Sequence, residues 1–276
     1  MPLRGKKQRI TLDAIICMGQ SNESGSDPSS VGVAYRNSQP NTYIYFKPDD
    51  TSSNNGTLQQ YQWGVNSTYD ASFLASVDAS VGIEFNRLTG KPLLIIKYAV
   101  SGSALVDDGT TTTAVGLWQI DANASRANNR LLYSRALNNF IIPCINYCTR
   151  NEITLNIIAS CWTQGEADST TLIRAVNYES ELIRLFDALK AALLPYGVLS
   201  ENYKPLITRI HNNFTAGTRP YLSTVRTALE NVANYYGGQW INSDSYAVIA
   251  DNTHWSYLGQ AQHGIDRANK LVDYYL

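Results

Sequence analysis

Five apolar runs along the chain end abruptly in small polar residues. Ile10 to Met18 stops at Gly19-Gln20-Ser21-Asn22, and Pro92 to Val100 stops at Ser101-Gly102-Ser103. Ile153 to Cys161 stops at Trp162-Thr163-Gln164-Gly165-Glu166, and Pro205 to Ile210 stops at His211-Asn212-Asn213. Tyr246 to Ala250 stops at Asp251-Asn252-Thr253-His254. Short, continuous, β-rich runs bounded by turn residues predict buried strands. Thr42 to Phe46 alternates and predicts one short strand more.

Between these runs the apolar period changes to that of a helix. Val81, Phe85 and Leu88 share a side, and Thr89-Gly90 ends the segment. Ser125 to Cys148 carries Leu131, Leu132, Ala136, Phe140 and Ile141, with a kink or stop expected at Pro143. Leu172 to Leu194 and Pro220 to Tyr236 predict two further helices. Tyr257 to Tyr274 predicts the closing one, with Leu258, Ala261, Ile265, Ala268 and Leu271 as its core stripe. Strands alternating with helices predict an α/β fold, a three-layer α/β/α sandwich around a five-stranded parallel sheet. No repeat or linker interrupts it, so residues 1–276 are expected to form a single domain, with 1–9 as a basic tail. The polar stretches 24–40, 49–70 and 107–113 read as loops.

Composition narrows the function classes. The 276 residues are 44% hydrophobic and 16% charged, and the net charge is −1. That balance gives no electrostatic reason to expect nucleic acid or an anionic membrane as partner. No run approaches the roughly 18 to 20 apolar residues of a membrane span. Asp13 interrupts the first apolar run and no small-residue cleavage site follows, so a signal peptide is not expected. The chain is then cytoplasmic, particle-associated, or an exported protein lacking its signal. Cys144-x-x-x-Cys148 has the spacing of a metal half-site without a second half nearby, and Cys17 and Cys161 sit in strand-like runs. All four are expected as small buried hydrophobes, with no metal and no cofactor.

The chemistry lies at the ends of the runs. Right-handed crossovers bring the carboxyl ends of parallel strands to one edge, where ligands bind. That edge would collect Ser21, Gly102, Gln164, Glu166, His211, Asp251 and His254. These are the parts of a serine hydrolase: nucleophile, base, orienting acid and oxyanion donors. Serine is a weak nucleophile until a base takes its proton, and His254 is the candidate, with Asp251 three residues before it. Backbone N–H groups of Ser21 and Gly102 and the side chain of Gln164 are the candidate oxyanion donors. Plainer roles compete. Ser21 can cap a helix, as can His254. Glu166 or Asp168 can orient the histidine in place of Asp251, or bond backbone N–H groups of neighbouring loops. Gln20 and Asn22 can shape the turn or touch substrate, and His211 can line the pocket. His263 falls on the polar side of its helix and reads as solvated, and Trp162 reads as core.

Gly19-Gln20-Ser21-Asn22-Glu23 lacks the second glycine of Gly-x-Ser-x-Gly, which disfavours the α/β-hydrolase elbow. The chain instead resembles the SGNH hydrolases, and among them the sialate O-acetylesterase-like and acetylxylan-esterase-like carbohydrate esterases. The likeness rests on Gly19-Gln20-Ser21-Asn22, Ser101-Gly102-Ser103, Trp162-Thr163-Gln164-Gly165-Glu166-Ala167-Asp168 and Asp251-Asn252-Thr253-His254. It implies a flavodoxin-like sheet, Ser21, Asp251 and His254 as catalytic residues, and Ser21, Gly102 and Gln164 as the oxyanion hole. It also implies removal of O-acetyl groups from a carbohydrate, a polysaccharide or a sialic acid, without metal or cofactor. Two rivals stand beside it: a lipase or thioesterase on the same scaffold, and a non-catalytic carbohydrate-binding or structural module such as a phage tail component.

Overall fold

The computed structural model describes residues 10–25, 39–47, 56–62, 66, 76–109, 115–214 and 217–276. The basic tail and most of the loops expected over 24–40, 49–70 and 107–113 lie outside the described residues. Seven strands form one sheet: β1 (Ile10–Gly19), β2 (Thr42–Phe46), β3 (Thr57–Gln60), β4 (Leu93–Ala99), β5 (Ile153–Thr163), β6 (Leu199–Arg209) and β7 (Gln239–Asn242). Their spatial order is β3-β2-β4-β1-β5-β6-β7, and β3 is the antiparallel member. The expectation of five strands is corrected to seven, within the expected α/β class.

β1 is central, and its side chains alternate between two buried faces. Leu12, Ala14, Ile16 and Met18 point into one core with Leu94, Ile96 and Tyr98. Ile15 and Cys17 point into the other with Ile95 and Cys161. A strand apolar on both faces is the mark of a sheet covered by helices on both sides. The first face is covered by α3 (Leu132–Arg135), α4 (Ile142–Arg150), α5 (Leu172–Leu193) and α6 (Leu222–Tyr235). The second is covered by α2 (Asp78–Thr89) and α7 (Tyr257–Tyr275); α1 is the single turn Ser21–Ser24. Among the described residues no helix is long and apolar enough to cross a membrane. All four cysteines are buried and none is in a disulfide.

Three local expectations change. Pro143 does not stop its helix. Ala136–Ile141 widens to a π-helical stretch, and the helix continues directly through Pro143 as α4. Tyr246–Ala250 is not a strand; only an isolated antiparallel bridge, Val248 to Trp255, forms there. The parallel edge strand is the shorter β7 just before it. The core stripe of α7 is also rotated: Gln260, His263, Gly264, Arg267, Ala268, Leu271 and Tyr275 are buried, while Leu258 is 57% exposed.

Candidate active site

The chain reverses direction across the sheet at β1, which lies between β4 and β5. The crevice beyond the carboxyl end of such a strand is the usual ligand position in open α/β sheets. Gly19 makes the exit possible. Its φ is +152°, and a Cβ there would lie 2.1 Å from the Thr163 carbonyl oxygen of β5. The next residue, Gln20, donates its N–H to that same oxygen at 3.0 Å. The backbone then turns into α1, with Ser21 at its start.

The partners of Ser21 come from the loop between β7 and α7. Ile249 N–H bonds the His254 carbonyl at 2.9 Å and closes this loop. Asn252 sits at its tip with φ +53°, a left-handed conformation that asparagine tolerates. Asp251 Oδ1 accepts the N–H groups of Thr253 (2.8 Å) and His254 (2.9 Å), and Oδ2 lies 2.5 Å from His254 Nδ1. His254 Nε2 lies 2.9 Å from Ser21 Oγ. Burial pushes the Asp251 carboxyl up, but the N–H groups of His254 and Thr253 and the imidazole together outweigh it and hold it below the ordinary carboxylate value. The charged carboxylate therefore takes the Nδ1 proton as its hydrogen bond, which leaves the Nε2 lone pair facing the Ser21 hydroxyl. The three residues expected from the strand ends are brought together, although the last two arrive on a loop.

The candidate oxyanion donors differ in whether their hydrogens are already bonded. The N–H groups of Ser21 and Gly102 have no partner among the described residues. Gly102 has φ +72°, and a Cβ added there would meet nothing nearer than the Val115 side chain at 3.8 Å, so its backbone angle, not space, calls for glycine. Gln164 is corrected. It is fully buried, and its amide Nε2 already faces Gln20 Oε1 (3.2 Å), Ser103 O (3.0 Å) and Asp168 Oδ2 (2.6 Å). Two hydrogens facing three acceptors leave none for substrate. Gln20 lies beside Gln164: its Oε1 accepts from that amide, and its Nε2 has no partner among the described residues.

The other sequence candidates are structural neighbours. Asp168 accepts the N–H groups of Leu105 and Val106, both at 2.9 Å, and so ties the loop after β4 to the loop after β5. Glu166 Oε1 accepts from Asn22 Nδ2 at 2.9 Å and does not reach the histidine. His211 is buried rather than pocket-lining, with Nε2 3.1 Å from the Thr253 carbonyl. His263, read as solvated, is fully buried, bonded to Thr208 Oγ1 at 2.7 Å; burial and then the Arg267 charge push its pKa well down, so it is neutral.

Sequence reading missed the ion pair beneath Ser21. Glu23 and Arg267 are both fully buried, joined by two bonds of 2.8 and 2.6 Å. Burial pushes the Glu23 carboxyl up, but the Arg267 guanidinium overrides it and brings the pKa from 4.5 to about 2. Thr163 Oγ1 adds a bond at 2.6 Å. The charge on the core side of α7 was the available signal.

Ser21, His254, Gly102 and Gln20 line a pocket of about 560 Å³ with two arginines, Arg174 and Arg219. Arg174 is buried, with Nε 3.2 Å from Asp108 Oδ2. Arg219 lies over the Phe214 ring at 5.4 Å, and no carboxylate pairs with it among the described residues.

The fold and this pocket define an α/β esterase architecture, and comparison with known proteins gives it a family. A sequence profile of the carbohydrate esterase, sialic acid-specific acetylesterase family matches residues 11–273. The chain belongs to that family and is a carboxylic ester hydrolase. No curated protein sequence matches it. Similar solved structures include the Arabidopsis thaliana protein AT4G34215, with TM-score 0.67 and 15% identity over 96% of this chain and 99% of that one. NanS has TM-score 0.62 and 10% identity over 98% and 99%. XAC1771, a carbohydrate acetylesterase from Xanthomonas citri, has TM-score 0.61 and 16% identity over 94% of this chain and 54% of that one. At these identities the likeness is one of fold.

Proposed function

We propose that the protein is a serine esterase that removes O-acetyl groups from a carbohydrate through an acyl-enzyme. The observation that carries this reading is the continuous chain Asp251–His254–Ser21, with contacts of 2.5 and 2.9 Å. Ser21 Oγ attacks the acetyl carbonyl while His254 Nε2 takes its proton, and Asp251 stabilises the imidazolium that forms. The oxyanion is met by the N–H groups of Ser21 and Gly102 and by Gln20 Nε2. His254 then gives that proton to the sugar oxygen as its bond to the acetyl carbon breaks, and the sugar leaves as the free hydroxyl. In the second half it takes a proton from water, which attacks the acetyl-Ser21 carbonyl and releases acetate. A purely binding module has no use for a serine hydrogen-bonded to an imidazole whose tautomer is fixed from behind.

Arg219 on the pocket wall, which no carboxylate pairs with among the described residues, favours an anionic sugar over a neutral one, since a carboxylate matches the planar donor fork of a guanidinium. The acetylated substrate is then a sialic acid, free or in a polymer, rather than xylan. Acetate release tests the reading: the protein should deacetylate O-acetyl sialic acid faster than acetylated xylan, and folded Ser21→Ala should release none. Retained turnover in Ser21→Ala would sink the serine mechanism, and a preference for xylan would sink the substrate assignment.

A further inference from the structure

Asn22 follows the nucleophile directly and is completely buried. Its Nδ2 donates to the Thr253 carbonyl at 3.1 Å and to Glu166 Oε1 at 2.9 Å. Its Oδ1 accepts the Trp255 N–H at 3.0 Å. Thr253 and Trp255 are the residues on either side of His254. One side-chain amide thus grips the backbone before and after the base, with its donor on one side and its acceptor on the other. A buried group with both ends paired also has strong geometric preferences, because any displacement leaves a polar atom without a partner.

The surroundings hold this grip in place. Gln260 of α7 donates Nε2 to the Asn22 carbonyl at 3.2 Å. His211 Nε2 reaches the same Thr253 carbonyl at 3.1 Å, and the Asn213 N–H at its Nδ1 fixes Nε2 as the donor. The loop is otherwise held by its own backbone bonds and by Trp255, which is fully buried against Tyr246 and His263. The side chains of His254 and Asp251 are 29% and 43% exposed, and its neighbours form only an isolated bridge.

We propose that Asn22 is a positioning residue of the esterase reaction, holding the His254 loop against the nucleophile turn so that Nε2 and Ser21 Oγ stay in contact. The inference rests on Ser21 as nucleophile and His254 as base. The residue type follows from the chemistry of the grip. Aspartate has the same shape and keeps the acceptor for Trp255 N–H. It loses the donor to Thr253, and it sets a carboxylate against Glu166. Serine loses the reach to both sides.

The test uses the full chain and p-nitrophenyl acetate, with active sites counted by covalent organophosphonate labelling carried to completion. Asn22→Asp is the first variant and Asn22→Ser the second, in case the first does not fold. Both are expected to lose about 10²-fold in kcat per labelled site, the usual scale for a reacting group displaced by about 1 Å, with KM within about threefold. Glu166→Gln placed in the Asn22→Asp background supplies a donor to the new carboxylate and should recover about tenfold. A role in folding alone lowers the number of labelled sites but leaves kcat per site unchanged, and that result would overturn the proposal. Ser21→Ala is assayed alongside: an active Ser21→Ala overturns the serine mechanism itself. An inactive Ser21→Ala beside Asn22 variants at the wild-type rate overturns the positioning role alone.

Discussion

Ser21 and His254 meet at 2.9 Å, but the chain on either side of that contact is built differently. Ser21 leaves the central strand of the sheet, and all four residues of its helical turn are at most 4% exposed. Beneath it the Glu23–Arg267 pair ties the turn to the closing helix. His254 stands on a loop that ends no sheet strand, kept in shape by its own backbone bonds and by Asn22 and His211 from outside. The Ser21 side is fixed by the sheet and a buried ion pair, and the His254 side by loop hydrogen bonds and the buried Trp255. The Ser21 side therefore draws on regular secondary structure, whereas the His254 side draws on individual hydrogen-bonding residues that must be the right ones.

The contrast can be broken in order of expected effect. His254→Ala removes the base outright and should lower kcat by about 10⁴- to 10⁶-fold. Asp251→Asn should cost about 10³-fold, less than the roughly 10⁴-fold known for a buried triad carboxylate, because this one is 43% exposed and water screens its loss. A loss as large as that of His254→Ala would show the loop carboxylate to be as indispensable as the base. Gln20→Ala should cost about 10²-fold in kcat at nearly constant KM, as expected for one oxyanion donor. An unchanged kcat would return the oxyanion role to the backbone alone.

The smallest effect on rate and the largest on stability belongs to Glu23. Its folded pKa lies below its unfolded one, so its contribution is fully present above about pH 4.5 and is lost as pH falls toward about 2. A shift of that size corresponds to roughly 3 kcal/mol. Glu23→Gln should lower stability at neutral pH by about 3 to 5 kcal/mol, since it leaves a buried guanidinium unpaired. It should also flatten the acid limb of a stability-versus-pH curve followed by denaturant unfolding. An unaltered acid limb would mean that the pair does not anchor the nucleophile turn.

The same contrast explains what the sequence disclosed. β1, β4 and β5 are apolar on both faces, so Ser21, Gly102 and Gln164 could be placed at one edge from the pattern alone. β3 reads Thr-Leu-Gln-Gln and β7 is four residues long, and neither carries an apolar run to detect. Tyr246–Ala250 carries such a run but places it in a loop. In α7 Ala268 and Leu271 are buried as expected, but the rest of the buried stripe is Gln260, His263 and Arg267, which hydrophobicity does not pick out. Polar residues satisfied by one another are invisible to a hydrophobic pattern. The Gln20 and Gln164 assignments turned on which amide already had its hydrogens bonded, and no spacing rule contains that information.

The central claim is that Ser21 forms the covalent intermediate, and peptide mass mapping after incubation with an organophosphonate tests it most directly. The account predicts a single adduct, on the peptide carrying Ser21, rising in step with the loss of acetyl-ester hydrolysis. An enzyme fully inactivated with Ser21 unmodified would contradict it.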